Sequence, residues 1–405
     1  MNYESSMTTV QTSESRSVTT SDTFRVEKGS LIRQVQFDQN LSAILPSWKK
    51  CNERFAERTM FCDPEWLWER VKQKHADIRA YVLGPKDDLS GAVAFEFYIK
   101  RLICRLGYAR IANLPLKACR LLGYMPNLPE ETTAYDQLFH QLLGLKFEAI
   151  YLECVKADTF FWQYLHQSPL IKKHFVLYSD HGVRPHPYIR VTGTFEEYMR
   201  KFPSKIRNNF SRRIRQLRSQ GEVELVRVTE ESEIDTFVDA VAEVSKKTYQ
   251  FRALGLGIRD PDHLKKLLIW AARKRWLRSY LLKCNGEPCA FQIAYQYNRT
   301  FSGVEIGYDP AWIKLGVGNI QQLLALEDLF KENTPDICDF GTYADYKEMF
   351  ANAAYMDAQV WLFRRRPIPL LKLNTFRFFR ETSKAAGNFL DGLNLKSKVK
   401  RWLQK

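Results

Sequence analysis

No stretch of this 405-residue chain approaches the ~20 consecutive apolar residues needed to cross a bilayer, so no spanning helix is expected. An apolar h-region is likewise missing from residues 1–22, MNYESSMTTVQTSESRSVTTSD. That Ser/Thr-rich stretch reads as a disordered lead, not a secretory signal. The eight cysteines (51, 62, 104, 119, 154, 284, 289, 338) form no Cys-x-x-Cys pair, and Cys284 and Cys289 stand far from any histidine cluster. No metal is therefore expected. Histidines 181 and 186 fall in HGVRPHP, which reads as a Pro-rich turn with incidental histidines. Thiols in apolar strand-like stretches suit small buried hydrophobes in a reducing cytoplasm.

Two familiar phosphate loops are also lacking. Neither Gly316 nor Gly318 continues into the Lys-Ser/Thr of a Walker loop, and Gln321 stands where the dinucleotide fingerprint has its third glycine. A DFG triplet at 339–341 has no HRD loop or Gly-rich loop to make it a kinase motif.

The composition is core-forming, with 45% hydrophobic and 13% aromatic residues, and the length favours two domains. Net charge is +15 and unevenly placed: residues 364–405 hold twelve Lys/Arg against two acids, and KFPSKIRNNFSRRIRQLRSQ (201–220) holds seven basic residues and no acid. Such blocks suit nucleic acid, anionic lipid or phosphorylated ligands, or are plain solvated helices.

The chain repeats itself. Residues 63–101 and 260–299 each open with Asp-Pro and a helix, then show a short apolar strand, a polar turn and a longer strand. Asp63, Tyr81 and Ala92 correspond to Asp260, Tyr280 and Ala290 at nearly constant spacing, which argues for duplication. Asp as N-cap with Pro at the first helical position suits both starts. In the second half Thr194-x-x-Glu197 reads as a capping box, and a helix is expected over 203–219, ending at Gly221. Strands at 222–229, 278–284, 288–298, 300–308, 337–341 and 357–365 alternate with helices at 233–250, 260–275, 319–332 and 345–352. That order is an α+β fold, a mostly antiparallel mixed sheet with helices on its faces. The first half runs a similar course through LICRLGYARI and FEAIYLECV but has no Gly-x-Gly step into a helix.

That step, YDPAWIKLGVGNIQQLL, places Gly316 and Gly318 at a helix entrance, where bare N–H groups and the helix dipole favour an anion. A tight turn needing positive φ is the alternative. The element order, with SKIRNNFSRRIRQL (204–217), GYDPAWIKLGVG (307–318) and DFGTYADYKEMF (339–350), resembles the GNAT acyltransferase superfamily. Residues 194–365 are similar to its BioF2-like (CelD-like) acetyltransferase domains. These are related to the FemABX peptidoglycan aminoacyltransferases, which carry two GNAT-like domains in tandem. The resemblance implies a degenerate GNAT-like domain at 23–192 and an acyltransferase domain at 193–366, between the lead at 1–22 and a basic amphipathic tail that composition marks at 367–405. It also implies acyl-CoA (acetyl-CoA) as co-substrate, its diphosphate on Lys314, Leu315, Gly316, Val317, Gly318 and Asn319. Ile313 stands where the family loop usually opens with Arg or Gln, and Lys314 is the neighbouring cation.

Three residues are candidates for the chemistry. Glu305, on a mostly apolar strand, is a candidate general base or a solvated carboxylate. Asp339 is a second base or an anchor for loop amides. Tyr346 would protonate a leaving thiolate or simply pack. Ser204, Arg207 and Arg212, with Lys347, would grip an anionic acceptor. The implied activity is N-acyl transfer to an amine on an amino sugar or cell-envelope or exopolysaccharide precursor, in the cytoplasm and peripheral to the inner membrane. The Leu/Phe/Trp-bearing basic tail suits anionic lipid or packs on its own domain. Aminoacyl-tRNA as donor, or a non-catalytic basic scaffold on membrane or nucleic acid, are the alternatives.

Overall fold

Asp-Pro opens two helices in the computed structural model, which describes residues 31–35, 39–55, 59–73, 77–106, 109–248, 251, 257–341 and 345–392. The expected lead lies outside them. Asp63 accepts hydrogen bonds from the amides of Glu65 (2.9 Å) and Trp66 (3.3 Å), and Asp260 accepts one from His263 (3.0 Å), each ahead of a helix-opening proline.

The first half comprises β1 (Arg33–Val35), α1 (Leu45–Asn52), α2 (Pro64–Lys72), β2 (Asp77–Leu83), β3 (Gly91–Leu106), β4 (Ala109–Leu121), α3 (Thr132–Leu143), β5 (Ala149–Lys156), α4 (Phe160–Gln167), α5 (Pro169–His174) and β6 (Phe175–Tyr178). Then come β7 (Arg184–Arg190), α6 (Phe195–Arg200), α7 (Ser204–Arg218), β8 (Val223–Val228), α8 (Ile234–Lys247), α9 (Pro261–Arg273) and β9 (Ser279–Cys284). The chain continues with β10 (Glu287–Tyr297), β11 (Thr300–Tyr308), α10 (Val317–Glu332), β12 (Ile337–Asp339), α11 (Asp345–Phe350), β13 (Ala353–Arg364) and α12 (Pro367–Gly392). The capping box at Thr194 and Glu197 is present at the start of α6.

The strands join in a single mixed sheet with the order β1-β2-β3-β4-β5-β13-β7-β12-β11-β10-β9-β8, β6 pairing β13 from off the path. The duplication is visible in the register. Tyr81 faces Val93 and Val82 faces Ala92; 199 residues later Tyr280 faces Gln292 and Leu281 faces Phe291. Each half then has one parallel pair, β4 with β5 and β11 with β12. Beyond that pair the halves trade strands. β13, from the end of the chain, lies beside β5, and β7, from before α7, lies beside β12. The boundary expected at residue 192 therefore does not separate two self-contained sheets.

Helices cover both faces. Phe237, Val241 and Leu268 of α8 and α9 pack on Phe291 and Ile293 from one side of the second half. Leu326 and Leu329 of α10 and Phe210 of α7 pack on Phe301 and Cys338 from the other. In the first half, Tyr135 and Phe139 of α3 and Phe161 of α4 cover Ile150 and Leu152.

Two expectations are corrected. HGVRPHP is no turn: residues 184–190 are β7, inside the sheet. Its prolines, Pro185 and Pro187, occur where β7 pairs with β13 alone, since pairing to β12 begins at Tyr188; a missing N–H is tolerated on such a half-open strand. The region after Arg366 begins as helix α12, whose Leu373 and Phe376 pack among Leu102 and Leu116 of the first half and Phe363 of β13. Lys372 fastens it to Glu148 and to the Pro115 carbonyl, both at 2.6 Å.

Candidate functional site

The glycine loop follows β11 directly. Asp309 accepts from the Ala311 amide (2.9 Å) and from Lys247 (2.9 Å), fixing the entry to a 3-10 turn over Pro310–Leu315. The turn ends at Gly316, held at φ +70° and ψ 39°, a left-handed conformation that glycine adopts without strain. Helix α10 starts at Val317 with no side-chain cap. Its amides are not all bare. Gly316 N–H donates to the Ile313 carbonyl, and Asn319 and Ile320 both donate to the Gly316 carbonyl, each at 3.1 Å. The expected row of amides narrows to two, Val317 and Gly318, which find no backbone acceptor among the described residues.

A cation stands beside them. A Cβ added to Gly316 would run into the Arg213 guanidinium, which reaches across from α7. Among the described residues Arg213 makes no hydrogen bond or ion pair. A guanidinium close to the positive end of a helix is repelled unless an anion lies between them. Val317 is fully buried, so the half-exposed Gly318 amide is the one of the two that an anion can reach, and together with the unpaired guanidinium it forms a place for one anionic group. Arg213 was missed from the sequence. Its signal was position: it lies three residues after buried Phe210 and four before buried Leu217, on the inward stripe of α7.

Next to the loop the sheet opens. β11 and β12 pair only over Thr300–Ser302 and Ile337–Asp339. β12 ends there, whereas β11 runs on to Tyr308 and β7 runs on in the same direction from Pro187 to Arg184. Among the described residues no strand continues β12, which leaves a notch with β11 and β7 as walls, roughly 10 Å or two strand spacings apart, and Asp339 at its apex. A β-bulge at Val304, between the Ala294–Gly303 and Ile293–Glu305 pairs, bends β11 at the notch mouth. Val304, Ile306 and Tyr308 are exposed apolar side chains along this wall.

Glu305 lies opposite Ile293, so it shares the sheet face of α8 and α9. Burial raises its pKa, and no hydrogen-bond partner for its carboxylate occurs among the described residues. Asp339 differs. Burial alone would raise its pKa, but hydrogen bonds from His186 (3.1 Å), the Gly341 amide (2.7 Å) and Tyr124 outweigh that and hold it below the usual carboxylate value. A carboxylate so occupied is an anchor and a poor base.

The remaining candidates scatter. Arg207 donates to the Phe202 carbonyl (2.6 Å) and to Ser204 (3.2 Å), closing the start of α7, and exposed Arg212 donates to Asn209 (3.0 Å). Lys314 is exposed at the end of the 3-10 turn, and Leu315 and Asn319 are half-buried. Lys347 is no surface grip for an acceptor: it is buried, its ammonium donates to the Phe340 carbonyl, and burial lowers its pKa. Tyr346 belongs to α11, but its side chain falls outside the described residues.

At the seam a buried network replaces the expected incidental histidine. His186 is fully buried, with Nε2 against Asp339 (3.1 Å) and Nδ1 against Asp357 (2.7 Å). Burial would lower its pKa, but the two carboxylates win and push it up to about 9. Tyr355 stacks on its ring with centroids 4.5 Å apart. The Cys154 thiol lies within 4.8 Å of the Asp357 carboxylate, and burial with the surrounding carboxylates pushes its pKa far up. Proximity to β12 and β13 could not be read from the sequence, because it depends on the strand exchange.

Residues 204–348 match the family model of an acetyltransferase (GNAT) domain. No curated protein sequence matches the chain. Among solved structures, FemX superposes with a TM-score of 0.54 at 12% identity, over 85% of this chain and 100% of that one. A tandem GNAT protein from the clavulanic acid biosynthesis pathway gives 0.48 at 10% identity, over 84% and 99%. L-PGS from Bacillus licheniformis gives 0.46 at 11% identity, over 82% and 96%.

Proposed function

We propose that this chain, a GNAT-superfamily acyltransferase with the FemX fold, transfers an acyl group from an acyl-CoA thioester to the amine of a sugar or cell-envelope precursor. The observation that carries the reading is the pairing of the half-exposed Gly318 amide with the unpaired Arg213 guanidinium at the start of α10, beside the notch. A coenzyme diphosphate bridges the Gly318 amide and the guanidinium. The pantetheine arm follows the free edge of β11 from Tyr308 towards Gly303, with Val304, Ile306 and Tyr308 as its apolar contacts. The thioester then reaches the apex of the notch.

In the transfer, Glu305 takes a proton from the acceptor ammonium as the amine attacks the thioester carbonyl. The C–N bond forms, the tetrahedral intermediate collapses, the C–S bond breaks and the thiolate leaves with a proton supplied by Tyr346, whose phenolate is reprotonated by the surplus proton shed from the acylated nitrogen. Orientation in the notch supplies several kcal/mol of the barrier reduction, and base assistance about 10²–10⁴-fold more. Asp339 fixes the Phe340–Gly341 backbone at the apex.

Helix α12 supplies the reading of location. No helix among the described residues is long and apolar enough to cross a membrane. Yet Ile368, Leu371 and Phe378 are 63%, 68% and 64% exposed on α12, among Arg366, Arg377 and Lys384. This face sets the protein against an anionic bilayer on the cytoplasmic side. The test of the activity is thiol release from acetyl-CoA in the presence of a panel of amino sugars. Release that needs both the chain and an amine acceptor is expected; release independent of acceptor would oppose the transfer.

A further inference from the structure

Cys154 has a backbone conformation that needs a reason. Its φ is +56°, a left-handed value unusual for a residue with a Cβ, in the middle of β5. It sits in an irregularity of the β5–β13 ladder, where Leu152 faces Val360 and Val155 faces Ala358, leaving Glu153 and Cys154 opposite one residue. Strain of about 1–3 kcal/mol of this kind persists where surrounding structure enforces it for a purpose. Here its effect is to bring a thiol into a site whose other groups are ionic. A small hydrophobe would gain nothing from that setting.

The thiol meets two further donors. Cys154 Sγ, His186 Nδ1 or Nε2 and an Asp357 carboxylate oxygen all lie within 4.8 Å of one another, and all three residues are buried. They come from three adjacent strands, β5, β7 and β13, and so from both halves of the molecule. We propose that Cys154, His186 and Asp357 form a binding site for a transition-metal dication of the zinc class. The set is one thiolate, one imidazole and one carboxylate, which suits a borderline-soft tetrahedral ion and leaves a fourth position open.

The surroundings complete the site. With Nδ1 on the metal, the other ring nitrogen of His186 already donates to Asp339 at 3.1 Å, the carboxylate–histidine arrangement that orients imidazole ligands. Tyr355 stacks on the same ring and fixes its plane. In the metal-free arrangement protons occupy the place: the thiol and the Nδ1–H are both directed at Asp357. Metal–nitrogen and metal–oxygen bonds near 2.0 Å set ligand separations of roughly 3.3 Å, so the 2.7 Å His186–Asp357 pair must part by about half an ångström. The ion would staple three strands at the seam. This site is independent of the acyl-transfer reading.

The test is elemental analysis by inductively coupled plasma mass spectrometry of the full chain, purified without metal-affinity resin. One zinc-class ion per chain is expected, falling at least tenfold in Cys154→Ser. The chelator-treated wild-type chain should take up one Co²⁺ with a thiolate-to-cobalt absorption band and melt at a higher temperature when loaded. Should Cys154→Ser not fold, Asp339→Asn serves instead, with Co²⁺ affinity expected to drop about 10–100-fold. Absence of both native metal and Co²⁺ uptake would overturn the site. So would uptake without the thiolate band, or with undiminished affinity in the folded variant.

Discussion

In the proposed transfer, Glu305 is the base on which the chemistry turns. Burial raises its pKa, so its base form is present only above that raised value and is lost as pH falls through it. The acid limb of the rate profile should therefore lie above the ordinary glutamate value of 4.5. Glu305→Gln should abolish that limb and lower turnover about 10²–10⁴-fold while donor affinity stays within twofold; unchanged turnover would remove Glu305 from the mechanism. Gly316 makes a second case at this scale. Alanine there must hold a left-handed backbone and displace Arg213, so Gly316→Ala should cost about 1–2 kcal/mol in chemical denaturation. The strand position of Glu305 and the helix entrance at the glycines were legible because a carboxylate on an apolar strand and a Gly-x-Gly step are local patterns. Arg213 and His186 were not: what singles them out is a neighbour distant in sequence. Lys347 was misread for the same reason, since its burial depends on how α11 folds back against Phe340.

Elements with a clean period came through best. The apolar runs of β9 and β10, buried on both faces between helix layers, the alternation in β11 and the apolar stripe of α8 stand close to where they were expected. β7 was lost because Pro185 and Pro187 mimic a turn when the half-open pairing that tolerates them is unseen. The basic tail showed its charge but not its docking. Leu373 buries fully against β3, β4 and β13, which contributes about 1.5–3 kcal/mol for a side chain of this size, and Phe376 adds a partly buried contact. A chain ending at Arg366 should melt at a lower temperature by scanning calorimetry, and an unchanged melt would mean α12 contributes nothing to the fold. The same truncation should lose flotation with vesicles rich in anionic lipid; equal flotation of the two chains would remove the bilayer contact.

For the molecule as a whole, the exchange of β7 and β13 decides how it folds. Each half lacks the strand that completes its sheet, so residues 31–192 and 193–392 expressed separately should fail to give dispersed amide spectra, whereas the full chain unfolds in one transition. Independent folding of either half would show that the seam is a mere contact. Duplication was legible from the constant spacing of Asp63, Tyr81 and Ala92 to their counterparts. The exchange was not, since a strand's neighbour is set by tertiary pairing.

Donor recognition remains the claim from which the rest follows. Calorimetric titration of the full chain with acetyl-CoA tests it most directly, beside Arg213→Ala and Gly318→Asp. A charge-assisted hydrogen bond contributes about 1.5–3 kcal/mol, so each variant should weaken binding by roughly tenfold or more while Arg212→Ala leaves it unchanged. Binding of equal strength in all four proteins, or no binding of acetyl-CoA to the wild-type chain, would contradict the account.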